Sequence, residues 1–238
     1  MSQRLKVATV GVLALLVSAA AVQAQTKPAP AAPKRNWNTA VTVTPQGTHI
    51  LGNPAAEVRL TEFVSYTCPH CAQFETQADG PLRLTFVVGG KGAVEVRHFV
   101  RDPVDMTVAL LTNCGPADKF FANHTAFLRR QGQWIGPLEN PSPAQKARWT
   151  SGAFAQRTRA IAKDFGFYPI MQSRGYTASQ VDACLANEGL AKRLAASTAE
   201  ASEKLFVTGT PSFAINGTVL TGTHSWQALR PQLAARMR

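Results

Sequence analysis

Val58 to Glu75 reads VRLTEFVSYTCPHCAQFE, and this stretch decides the fold. Val58–Val64 is rich in β-branched and aromatic residues and follows the turn residues Gly52-Asn53-Pro54, the pattern of a buried strand. Ala72 to Glu75 has helix-forming character, and Pro69 fits a first helical turn, where its missing N–H is no loss. Cys68-Pro69-His70-Cys71 therefore sits at a strand-to-helix junction, with Cys68 at the helix N-terminus. There the helix dipole and free backbone N–H groups favour a thiolate. Cys68 is expected to be the exposed attacking sulfur and Cys71 its resolving partner. His70 adds a cationic or hydrogen-bonding group inside the ring. A zinc site would need two more ligands, but Cys114 and Cys184 are single and distant. A purely structural disulfide would seldom occupy such a junction. Redox chemistry is the better reading.

Outward from this centre, Thr48–Leu51 predicts a short edge strand and Ala93–Val100 a second clear strand. From about Asp102 to Lys204 the chain turns helical, Ala-rich with apolar residues at three- and four-residue spacings. Gly115-Pro116, Gly136-Pro137 and the capping-box pattern Thr177-Ala178-Ser179-Gln180 punctuate it. Ser212 to Thr221 carries Asn216-Gly217 between two strand-like runs, a hairpin with a type I′ turn. Ser225 can cap a last helix from Trp226 to about Arg236. Strand, helix, strand, long helical insert, hairpin and helix describe an α/β core with an inserted α-helical domain. The boundaries expected are 46–101 and 205–238 for the core and 102–204 for the insert. Four cysteines allow three pairings, and only Cys114–Cys184 leaves the Cys68–Cys71 pair intact, so a structural disulfide is expected there.

The chain has 238 residues, 45% hydrophobic and 16% charged, which excludes fibrous and charged disordered polymers. A formal charge of +11 raises nucleic acid or anionic membrane as partners. The basic residues are scattered, however, with no run longer than a pair such as Lys34-Arg35, so solvated surface charge is the better reading and no nucleic acid is expected. Arg4 and Lys6 precede the apolar run Val7–Val17 and small residues up to Ala24, the pattern of a signal peptide over 1–24. Export follows, to a compartment where disulfides persist. Residues 25–45 begin with a Pro/Ala-rich stretch and are expected to form a linker outside the folded core. His49, His98, His124 and His224 show no metal-ligand spacing, and no metal site is expected.

Glu62 to Glu75 closely resembles the active-site segment of the DsbA family of periplasmic thiol-disulfide oxidoreductases. The resemblance runs from about Gly47 to the C-terminus and is strongest at 62–75 and 208–217. It implies a thioredoxin fold with an inserted helical domain. It also implies that Thr210-Pro211 is the cis-proline loop facing the disulfide and binding substrate backbone. Glu62 matches a buried acidic residue acting on proton transfer to and from the thiols. Period-two alternation supports this, placing Glu62 on the face of Leu60 and Val64. The function implied is a periplasmic oxidase that introduces disulfides into reduced exported proteins. It would act as a monomer with no cofactor beyond its own cysteine pair, and a membrane quinone-linked thiol oxidase would recharge it. Thr210 departs from the valine frequent before the family's cis-proline and is more usual in isomerases and reductases. An isomerase or reductase kept reduced by a membrane donor is thus the alternative within the class. A copper-binding chaperone using Cys68, His70 and Cys71 is the alternative outside it, weakened by the absence of Met or further His around the thiols.

Overall fold

The computed structural model describes residues 35–237, so the signal sequence expected at 1–24 and residues 25–34 of the expected linker lie outside the described residues. Six strands form one mixed sheet: β1 (Val41–Val43), β2 (His49–Gly52), β3 (Val58–Val64), β4 (Gly92–His98), β5 (Ser212–Ile215) and β6 (Thr218–Val219). Their order across the sheet is β1-β2-β4-β3-β5-β6. β3 and β4 run parallel, with Leu60 opposite Val94 and Glu62 opposite Val96, and every other pair is antiparallel. A parallel pair needs a crossover. Helix α1 (Pro69–Pro81), continued by the π-helical turns of Leu82–Val87, supplies it. β3 has a neighbour on each side, and its Leu60, Glu62, Phe63 and Val64 are all buried. The strand that leads into the cysteines is thus buried and paired along both edges.

The edge of the sheet differs from the expectation. β2 is an inner strand, because β1 pairs along its outer side with Val41 opposite Leu51. The linker expected up to residue 45 is therefore corrected: the fold includes the chain from Trp37 onward. Val41-Thr42-Val43 is a short β-branched run whose backbone finds partners in β2. Trp37 anchors the segment by lying over Gly90, where a side-chain carbon would come within 2.4 Å of the indole nitrogen. A glycine with φ +75° is what lets the ring approach so closely.

After β4 come nine helices: α2 (Pro103–Thr112), α3 (Phe120–Arg129), α4 (Gln131–Trp134), α5 (Gly136–Glu139), α6 (Pro143–Thr150), α7 (Phe154–Asp164), α8 (Phe167–Ser173), α9 (Ala178–Leu185) and α10 (Glu188–Leu205). Asp102 caps α2 and Thr177 caps α9 with a full capping box. Apolar residues of this insert, among them Phe127, Phe167 and Met171, belong to the same core as Leu60 and Phe74. The hairpin follows, with Asn216 and Gly217 at φ +50° and +83°, and then α11 (Trp226–Arg236), capped by Ser225. The α/β core interrupted by a helical segment is what the chain forms.

Cys114, just past α2, is bonded to Cys184 across a sequence separation of 70. Cys184 lies in the last turn of α9. In the chain-entropy picture a loop of this size contributes about 4 kcal/mol. Replacing both cysteines with alanine is expected to lower stability by about that amount in urea denaturation, and a double variant as stable as the parent would refute the contribution.

Candidate active site

β3 ends at Val64, and Ser65-Tyr66-Thr67 carries the chain to Cys68, the N-cap of α1, with Pro69 at the first helical position. Three acceptors or donors from the insert hold this loop. Asp105 accepts from the Ser65 hydroxyl (2.6 Å) and the Tyr66 N–H (2.7 Å), and Asp102 accepts from Thr67 (2.6 Å). Gln131 donates from one amide nitrogen to the carbonyls of both Tyr66 (2.6 Å) and Cys68 (2.9 Å). All three are buried or half-buried, where hydrogen bonds of this kind fix a conformation strongly.

The two sulfurs occupy different electrostatic worlds. The Cys68 thiol is drawn down to about 5, first by the hydrogen bond from Cys71, helped by Thr210 and by the N–H groups of His70 and Cys71, against the opposing effect of burial. Burial and the neighbouring Cys68 push the Cys71 thiol well above its usual range. The Cys68 Sγ lies 3.1 Å from the carbonyl oxygen of Thr210. The Thr210–Pro211 peptide is cis, and the His224 Nδ1–H donates to the Pro211 carbonyl at 2.8 Å, bracing that loop. Pro69 and His70 are exposed beside the pair.

One expectation is corrected here. Cys68 is not an exposed sulfur: the residue is only 2% accessible, while Cys71 is fully buried. The Thr210–Pro211 loop lies over it, a neighbour that arrives from 142 residues away. Selectivity between the two thiols therefore rests on ionisation more than on exposure.

Glu62 is buried beneath the cysteines at 3% accessibility. Burial, with His124 opposing and the charges of Glu75 and Cys68 adding, pushes its carboxyl up to about 8. One of its oxygens has no hydrogen-bond partner. The structure thus brings together Cys68, Pro69, His70, Cys71, Thr210 and Pro211, with Glu62 below them. The remaining histidines other than His224 form a buried group around Phe120: His49 stacks on that ring at 3.9 Å and His124 at 5.8 Å, and His98 bonds to Asn113. His49 is driven down to about 4 and His98 to about 3, chiefly by burial, so both are neutral near pH 7.

Sequence reasoning missed Asp102, Asp105, Gln131 and His224. Asp102-Pro103 with Asp105 three residues beyond the cap is a helix-start signal that could have drawn attention to the first two. Gln131 and His224 carry no local signal at all.

A family profile described as thioredoxin matches residues 44–235. A crystal structure described as protein-disulfide isomerase from Novosphingobium aromaticivorans is 60% identical, with a TM-score of 0.78 over 81% of this chain and 98% of that one. A crystal structure of Wolbachia pipientis alpha-DsbA1 shares 18% identity and a TM-score of 0.64, covering 81% of this chain and 92% of its own, which is a likeness of fold. A putative protein-disulfide oxidoreductase of Rickettsia conorii is 29% identical over 74% of this chain. The chain spans about half the length of the curated relatives it matches, 55% in that case. Among the described residues no helix is long and apolar enough to cross a membrane. With the match covering most of its length, and the fold shared with DsbA-like proteins, the chain belongs to the thioredoxin family.

Proposed function

We propose that the chain is a DsbA-like thiol-disulfide oxidoreductase that oxidises reduced exported proteins. The observation that carries this reading is the Cys68 sulfur at the N-cap of α1, 3.1 Å from the carbonyl of Thr210 in the cis-proline loop, a setting that draws its thiol down while burial pushes that of Cys71 up. A substrate thiolate attacks Cys68 of the disulfide form, the S–S bond breaks, and Cys71 leaves as a thiolate and takes up a proton. A second substrate thiolate then attacks the mixed disulfide and releases Cys68 as a thiolate. The substrate loses two electrons to the pair, and no cofactor beyond the two cysteines is required. His70 supplies a further hydrogen bond or positive charge to the Cys68 thiolate, and the Thr210–Pro211 loop holds the substrate backbone. By family resemblance a membrane quinone-linked thiol oxidase recharges the pair, in a periplasmic compartment reached by the sequence at 1–24, and the enzyme works as a monomer.

An oxidant has a favoured dithiol form. A thiol depressed from 9.0 to about 5 stabilises the reduced fold. That contribution is complete above the unfolded value and is lost as pH falls through about 5. Reducing Cys68–Cys71 is therefore expected to raise Tm at pH 7, and more at pH 8 than at pH 5.5. Calorimetry with selective reduction, or in a Cys114→Ala/Cys184→Ala background, checks this. A reduced form that melts lower removes the oxidase assignment. His70→Pro is expected to shrink the difference.

Isomerase activity is the second reading. It is favoured by Thr210 before the cis-proline and by the description of the 60%-identical structure. The reduction potential separates the two: strong oxidants of this class lie near roughly −120 mV and disulfide isomerases near roughly −180 mV.

A further inference from the structure

Phe206 is the most exposed large apolar side chain among the described residues, 80% accessible. Its backbone is also left-handed, with φ +55° and ψ +34°, at the C-cap of α10. Left-handed helix ends are ordinarily glycine, because a Cβ there crowds the following carbonyl. The other non-glycine residue of this conformation among the described ones is Asn216. Its short amide is held at both ends, accepting from the Arg59 N–H at 2.7 Å and donating to the Glu57 carbonyl at 3.0 Å. Phe206 has no polar group to offset the strain, and its ring belongs to neither apolar cluster of the fold. Glycine would remove both the strain and the exposure. Residues held in this way gather at active sites and ligand clamps.

The neighbours of Phe206 fix where the ring points. Val207 is buried, with its N–H on the Ala201 carbonyl at 3.0 Å, and Leu205 packs against the cluster of Phe63, Ala201 and Ala214. With both flanks anchored inward, the side chain between them is held out toward solvent. Four residues on, the Thr210 carbonyl lies 3.1 Å from the Cys68 sulfur. Four residues span at most about 14 Å. Thr208 is exposed and Gly209 has no side chain, so the loop itself puts nothing bulky between the ring and the sulfur. An extended peptide advances about 3.3 Å per residue, so a chain joined to Cys68 through its own cysteine reaches the ring within about four residues.

We propose that Phe206 is a specificity-determining residue: its ring takes an apolar side chain of the substrate, two to four residues to one side of the reacting cysteine. Thiol exchange at Cys68 does not sense that position, so the preference comes from contact alone. The contact is the same before and during exchange and therefore acts on KM more than on kcat. Covering the exposed ring with a leucine side chain is worth about tenfold in kcat/KM, ~1.4 kcal/mol. This deepens the disulfide-exchange reading and rests on it, because it lays the substrate along the Thr210–Pro211 loop.

The test is competition between two dithiol peptides for the oxidised full chain, one with leucine and one with serine near the same cysteine. Moving the leucine one residue at a time, from four positions before that cysteine to four after it, maps the contact. The leucine peptide is expected to win about tenfold, through KM, with the advantage confined to one side of the cysteine. Phe206→Gly and Phe206→Ala are expected to erase that advantage, and Phe206→Leu to keep most of it. Phe206→Gly is also expected to raise Tm, because glycine relieves the left-handed strain. A Tm that falls instead would make the ring a packing residue and overturn the assignment. An advantage on both sides of the cysteine, or one that survives Phe206→Gly, overturns it as well. So does a parent that sediments as a dimer and dissociates in Phe206→Gly, which would give the ring to a second copy. The same peptides with serine in place of both cysteines separate the two readings by their binding affinity. A chain that oxidises neither dithiol, yet binds the leucine peptide more tightly through Phe206, overturns the disulfide-exchange reading and leaves the contact standing.

Discussion

Cys68→Ser abolishes oxidation of a reduced test protein, whereas Cys71→Ser accumulates a mixed disulfide through Cys68. The reason lies in ionisation. At pH 7 a thiol drawn down to about 5 is almost wholly thiolate, and as a leaving group it departs readily. The Cys71 thiol is pushed well above its usual range by burial and by its neighbour, so it holds its proton at pH 7 and acts only on the bond that Cys68 carries, as leaving group in oxidation and as attacker in the reverse direction. In Cys71→Ser the Cys68 thiolate attacks a disulfide of an oxidised test protein and releases one of its sulfurs as a thiolate. With no Cys71 to attack the mixed disulfide in return, the intermediate is stranded. Non-reducing electrophoresis with peptide mapping reads the result. A trapped species carried by Cys71 in the Cys68→Ser variant, with none in the reciprocal variant, would exchange the two roles.

Glu62→Leu raises stability at pH 7 by roughly 3 kcal/mol while slowing exchange. The carboxyl titrates near 4.5 in the unfolded chain and near 8 in the fold. Below pH 4.5 both states are protonated and no penalty exists. Between the two values the unfolded chain ionises first, so the fold is progressively disfavoured as pH rises, by about 1.4 kcal/mol per unit. Above about 8 the penalty is complete. Leucine removes it and fills the apolar space beside Leu60 and Val96. The gain should therefore grow between pH 5 and 8 in urea denaturation and vanish near pH 4. A variant equally stable at pH 4 and at pH 7 relative to the parent would show that Glu62 does not titrate upward. Equal activity would remove its part in proton transfer.

β3 and α1 were legible because the chemistry changes abruptly at one point: the run of β-branched and aromatic pairing residues stops at Val64, and Pro69 suits a first helical turn. The Cys114–Cys184 pairing was legible by elimination among four sulfurs. β1 was hidden because three residues next to a Pro/Ala-rich stretch carry too little pattern to outweigh the composition around them. Gln131 and His224 were hidden for another reason. Each acts on a carbonyl that folding brings near from a distant part of the chain, and no local period encodes such a meeting. The burial of Cys68 belongs to the same class, since the loop that covers it is a late segment of the chain.

Gln131 holds the Tyr66 and Cys68 carbonyls, and Thr210 sits against the Cys68 sulfur. A ribosome makes these parts in order. When Cys68 and Cys71 first emerge, neither the amide that sets their loop nor the peptide that covers them has been made. The two thiols then have the reactivity of any unfolded cysteines. The depressed ionisation of Cys68 is thus withheld from the nascent chain until nearly all of it has been synthesised.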